Sequence, residues 1–252
     1  MAVQVQHNIP FWQDPVCAVH IVGIMDPGFE NYEDQVGMSW NYICFRYFDR
    51  VRAPGVMYYV NKESYRGRLS RGPAKHDVAV IRLTLSAEGG YLPGNGAVRR
   101  RDVLWIECKP PTHDVPDRWD VAVKEVVVRL GQAHPNRVVY VLFAVGIKWL
   151  MFRWDPTVRR TALPLEMLKT NQQGTWTLDT RLHHIPGEKY VRQAGGGRLL
   201  VDTTLAHSLN YWDIDDRGVP VHIASLDRLQ WYFKMITKNP QQFAGNNDLM
   251  YR

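Results

Sequence analysis

The stretch Arg101-Asp102-Val103-Leu104-Trp105-Ile106-Glu107-Cys108-Lys109 ends at Pro110-Pro111. Val103, Leu104, Trp105, Ile106 and Cys108 make it an apolar, β-prone run, and the prolines stop it. Strand side chains alternate, so Val103, Trp105, Glu107 and Lys109 should share one face, with Asp102, Leu104, Ile106 and Cys108 on the other. Glu107 and Lys109 then project the same way, about 7 Å apart along the strand. Asp102 is expected to point away from them.

The preceding strand covers 78–85 and is opened by Asp77, whose parity places it with Ala79, Ile81 and Leu83 on an apolar face. An aspartate there is costly unless it is paired or holds a cation. A glycine-rich loop, Glu88 to Gly96, joins the two strands. Upstream, Val56 to Val60 reads as a short strand, and Glu30 to Val51 as a helix. Val36, Trp40, Ile43, Cys44, Tyr47 and Val51 recur in that helix at helical spacing, with Glu33 at the end of the stripe. The Tyr47 hydroxyl needs a partner or a wet edge. Downstream, Arg118 to Gln132 reads as a helix on Trp119, Val123, Val126 and Leu130, although its β-branched residues are weak helix formers. Val138 to Val145 and Ile147 to Trp154 are strands divided around Gly146, either a hairpin or one bent strand.

The order α-β-β-β-α-β-β contains a strand-helix-strand crossover, so the expected fold is α/β with a central mixed sheet. Residues 1–155 form the expected core. Residues 156–252 form a C-terminal extension, expected to pack on the same sheet, with a separate lobe as the alternative. In it Gly174 to Thr180 and Leu199 to Thr204 read as strands and Leu226 to Thr237 as a closing helix.

A chain of 252 residues buries enough surface to fold without staples. Three cysteines, Cys17, Cys44 and Cys108, form no paired framework and fit a reducing, intracellular setting. The N-terminal residues lack a signal-peptide pattern, and no apolar run is long enough to span a membrane. The net charge is +6. Basic residues cluster at Arg66, Arg68, Arg71 and Lys75, then at Arg99, Arg100 and Arg101, which suits a polyanion such as nucleic acid or a solvated surface. No nucleotide-binding glycine loop and no His spacing typical of zinc sites is present, and Asp213, Asp215 and Asp216 read as a turn before Gly218.

Asp77, the strand it opens, and Trp105-Ile106-Glu107-Cys108-Lys109 followed by a helix and a strand together resemble the PD-(D/E)xK nuclease superfamily. That group includes many restriction endonucleases and shares an α-β-β-β-α-β core. The resemblance covers residues 28 to 155. It implies a restriction-endonuclease-like fold and metal-dependent hydrolysis of phosphodiester bonds, in DNA ahead of RNA. Asp77 and Glu107 would be ligands of Mg²⁺ or Mn²⁺, Lys109 the catalytic cation, Glu33 the carboxylate of the first core helix, and Gln132 an accessory residue of the next helix. Two departures are visible: His76 stands where the motif has proline, and thirty positions separate Asp77 from Glu107. A homodimer is compatible with the pattern. The alternatives are a nuclease-fold module that binds nucleic acid without turnover, and a protein-interaction module in which Glu107 and Lys109 are a surface ion pair.

Overall fold

Two apolar clusters, one on each face of a sheet, organise the chain. The computed structural model describes residues 9–48, 56–62, 65–66, 74–75, 77–85, 98–158, 175–195 and 199–238. Helices α1 (Pro15–Gly23) and α2 (Glu33–Phe48) come first. They are followed by strands β1 (Val56–Lys62), β2 (Tyr65–Arg66), β3 (Ala74–Lys75), β4 (Val78–Leu85) and β5 (Val98–Lys109). Helix α3 (Pro116–Ala133) then leads to β6 (Val139–Val145) and β7 (Lys148–Trp154). The remainder is β8 (Thr175–Thr177), β9 (Leu182–His184), β10 (Val191–Gln193), β11 (Leu199–Asp202), β12 (His207–Ser208) and α4 (Ile223–Lys238).

The main sheet has the order β1-β4-β5-β6-β7-β12, with β9 also paired to β7. Among the described residues only β5 and β6 run parallel, and α3 is their crossover. The other pairs are antiparallel. The fold is therefore α/β with a central mixed sheet of mostly antiparallel strands. Strands β10, β11 and β8 form a second small sheet.

On one face Val78, Val80, Leu104, Ile106 and Cys108 pack with Val36, Trp40, Ile43 and Cys44 of α2 and with Leu229, Tyr232, Phe233 and Ile236 of α4. On the other, Ala79, Ile81 and Trp105 pack with Trp119, Val123, Val126 and Leu130 of α3, and with Leu178, Tyr190 and Val201 from the small-sheet region. Burial of each large side chain contributes about 1.5–3 kcal/mol, so the two clusters fix which side of the sheet each helix takes. The Tyr47 hydroxyl finds its partner in α4, donating to Gln230 Oε1 at 2.8 Å. Glu188 binds the C-terminal elements together: it meets His207 of β12 at 2.7 Å and Arg228 of α4 at 3.4 Å, and accepts from the Tyr232 hydroxyl. Among the described residues no helix is long and apolar enough to cross a membrane.

Element ends shift from expectation where caps and turns outweigh apolar spacing. Helix α2 begins at Glu33 because Glu30 is drawn into a turn, accepting from the Gly28 amide at 2.9 Å. Helix α3 begins with Pro116 in its first turn, where a missing N–H costs nothing. Helix α1 was not anticipated by periodicity. Its signal is a cap: the Asp14 carboxylate accepts from the amides of Val16 (3.0 Å) and Cys17 (3.3 Å), with Pro15 following.

The expected alternation along β5 is overturned at one position. Val80 pairs with Leu104 but Ile81 pairs with Asp102, so Val103 is the extra residue of a β-bulge. Val103 turns to the α2 face, and Asp102 joins the Trp105 face, accepting from the Trp105 indole N–H at 2.9 Å. Below the bulge Trp105, Glu107 and Lys109 keep the expected parity.

Gly146-Ile147 is the two-residue turn of a β6–β7 hairpin, with Gly146 at φ +56. The Gly146 amide donates to the Lys109 carbonyl at 3.0 Å, tying the hairpin to the end of β5. A Cβ at this position would lie 3.1 Å from Pro111 Cα. Gly146→Ala should therefore destabilise the protein by about 1–3 kcal/mol. For a chain of this size, thermal unfolding should show a fall of roughly 2–4 °C per kcal/mol. An unchanged Tm would mean that the turn accepts a side chain.

Candidate functional site

The carboxyl end of β5 lies where β4, α2 and α3 converge. Val78 pairs with Ile106 in antiparallel register, so Asp77, one residue earlier, falls opposite Glu107. Directly opposed residues bring their Cβ atoms to about 5 Å. The twenty-nine residues between them in sequence thus do not separate the pair in space. Asp77 Oδ2 accepts from the Cys108 amide at 2.6 Å, which fixes its carboxylate against β5.

Glu107 is 4% exposed and carries two cations. Lys109 Nζ stands 3.0 Å from Oε1, and Arg129 Nη1 donates to Oε1 at 2.9 Å and Oε2 at 3.0 Å. Lys109 also reaches Glu33 Oε2 in the first turn of α2 at 3.4 Å, and Glu125 of α3 at 3.9 Å. The structure therefore brings Asp77, Glu107, Lys109 and Glu33 together. The α3 contacts come from Arg129 and Glu125, which pair at 3.6 Å, while Gln132 lies nearly a turn beyond Arg129. The sequence reading missed both residues. The sequence marked them only as charges flanking the apolar stripe of α3; their meeting with Glu107 follows from α3 packing on the Trp105 face.

Of the basic residues expected to hold nucleic acid, Arg100 is exposed but Arg101 is only 6% exposed, so Arg101 is corrected to an interior position. Arg66, Lys75 and Arg99 belong to strands whose side chains lie outside the described residues there, as do Arg68 and Arg71 altogether.

Burial first, and then the Asp77 charge, push Glu107 up from 4.5 to about 7, against the pull of Lys109 and Arg129. Asp77 is also raised, by burial and by Glu33, though the Cys108 amide counteracts this. For Lys109, burial works against the charge, but Glu107, Glu33 and Asp77 outweigh it and raise its pKa. His113, just after β5, is held below its usual value by burial, Arg118 and Lys109. The cluster sets four carboxylates, Asp77, Glu107, Glu33 and Glu125, against two cations, an excess of negative charge that a hard cation would relieve. Among the described residues no three His, Cys, Asp or Glu side chains are placed to cage a metal. The Asp77–Glu107 pair could hold a hard cation with water completing the shell, since Mg²⁺ is usually bound by one or two carboxylates.

Because the folded protein holds the Glu107 proton more tightly than the unfolded chain does, this group's stabilisation is complete below pH 4.5 and is lost as pH rises through about 7. Glu107→Gln keeps the shape and removes the titration, leaving Asp77, Glu33, Glu125, Lys109 and Arg129 in both proteins. The Tm of wild type relative to Glu107→Gln should fall between pH 5 and pH 8. A difference that stays flat across this range would contradict the assignment.

Compared with protein-family models, with curated proteins and with solved structures, the chain shows no match, so no family is assigned to it.

Proposed function

We propose that this chain is a metal-dependent nuclease, hydrolysing phosphodiester bonds of DNA ahead of RNA on a restriction-endonuclease-like core. The observation that carries the reading is the register that sets Asp77 opposite Glu107 while Lys109 projects beside it and reaches Glu33. Asp77 and Glu107 would hold Mg²⁺ or Mn²⁺. When bound, such an ion polarises the phosphate and lowers the pKa of a coordinated water.

The chain's own residues divide the remaining work. Lys109, surrounded by carboxylates, keeps its proton, so it orients water and stabilises developing charge on the phosphate rather than acting as a base. Glu33 is 42% exposed and bonded to Lys109, which suits it to accept a proton from the attacking water. The Cys108 amide holds Asp77 in place by a charge-assisted hydrogen bond. The positive net charge favours a polyanionic substrate.

One observation favours a second reading, a nucleic-acid-binding module without turnover: Lys109 and Arg129 already engage both Glu107 oxygens. Purified protein incubated with supercoiled plasmid, single-stranded DNA and RNA, with Mg²⁺, Mn²⁺ or EDTA, separates the two. Cleavage should require the metal and fall about a hundredfold or more in Lys109→Ala and Glu107→Ala. Cleavage that survives both substitutions or ignores EDTA overturns the nuclease mechanism. Binding without any cleavage selects the second reading.

A further inference from the structure

The proposed nuclease site contains two cations held in different ways. Lys109 is on the same strand as Glu107, is 12% exposed, and is gripped by Glu107 and Glu33 together. Arg129 comes from a separate element, α3, and its side chain is 32% exposed. A single nitrogen of its guanidinium straddles both oxygens of Glu107, at 2.9 and 3.0 Å. A cation bound by both Glu107 oxygens would have to displace that nitrogen. Glu125, one helical turn earlier, lies 3.6 Å from the other terminal nitrogen of Arg129.

Resting on the metal-nuclease reading, we propose that Arg129 is a displaceable internal counter-ion. It holds Glu107 while no divalent cation is bound, and turns toward Glu125 and a substrate phosphate when one is. The argument is electrostatic. Glu107 is nearly buried, so its charge needs a partner at all times. A divalent ion between Asp77 and Glu107 adds two positive charges beside the guanidinium, and repulsion then favours the cation that can leave. Lys109 is held more firmly, by its strand and by Glu107, Glu33 and Glu125. Arg129 can leave, because its stem reaches solvent and Glu125 is a second anchor on its own helix. A guanidinium released there offers planar paired donors, the geometry that matches phosphate oxygens. Arg129 therefore competes with the metal for Glu107 and cooperates with it in holding the phosphodiester.

The 252-residue chain is titrated with Mn²⁺ by calorimetry as wild type, Arg129→Met, Arg129→Lys and Glu107→Gln. Binding of a short duplex is measured separately with Ca²⁺ present. Arg129→Met should bind Mn²⁺ about tenfold more tightly than wild type, since its competitor is gone. It should also be less thermostable than wild type without metal, recover that stability at saturating Mn²⁺, and bind the duplex more weakly. Arg129→Lys keeps the charge but not the fork. It should tighten Mn²⁺ binding less and still weaken the duplex, and it decides the matter if Arg129→Met does not fold. If Glu107→Gln abolishes Mn²⁺ binding while both Arg129 variants bind it like wild type, the counter-ion role is wrong and the metal site stands. If wild type binds no Mn²⁺, the metal-nuclease reading and the counter-ion role both fail.

Discussion

A nearly buried glutamate at a strand end, with a half-buried aspartate across the ladder, sets the main constraint on this structure. Glu107 cannot stay ionised at 4% exposure without nearby positive charge, and Asp77 across the ladder increases the need. Lys109 and Arg129 answer it from a strand and a helix, so β5 and α3 are locked in position by charge as well as by the Trp105–Trp119 cluster. Glu33 draws the first turn of α2 to the same point through Lys109. Side chains from both helical layers thus meet at the carboxyl end of β5. The Thr112 amide reinforces the closure by donating to the Glu30 carbonyl at 3.1 Å.

The bulge at Val103 divides β5 into two polar ends with different roles. Toward its carboxyl end the charges are partly wet and convergent. Above the bulge, Asp102 and His134 are fully buried and 3.3 Å apart. The Trp105 indole donates to Asp102, and the Trp154 indole donates to the His134 carbonyl at 2.9 Å. A buried set so enclosed rigidifies the junction of β5, α3 and β7, because any rearrangement would strand a polar group in a low-dielectric interior.

The C-terminal elements contribute to the same frame from the far edge. Strands β9 and β12 both add to β7, and α4 covers the α2 face. The ring of His207 stacks on Trp149 at 4.3 Å while its Nε2 meets Glu188, so β12 is held by packing and charge together. This places the extension against the sheet that carries the site, with α4 contacting α2 through Tyr47 and Gln230.

Much of this was legible in the sequence because local periodicity survives folding. Helical spacing of Val36, Trp40, Ile43 and Cys44 gave the buried face of α2, and alternation gave the common side of Trp105, Glu107 and Lys109. Parity placed Asp77 on the apolar side of β4, where it lies. What the sequence determined by itself was the set of elements and the faces they bury, since these follow from side-chain spacing within one segment. Tertiary structure decided the register that brings Asp77 to Glu107 and the bulge that turns Asp102 inward. It also decided the packing of α3 that carries Arg129 and Glu125 to the site. Each of these depends on pairing between segments distant in the chain, where one residue of slip reverses every face, and no local pattern encodes that choice.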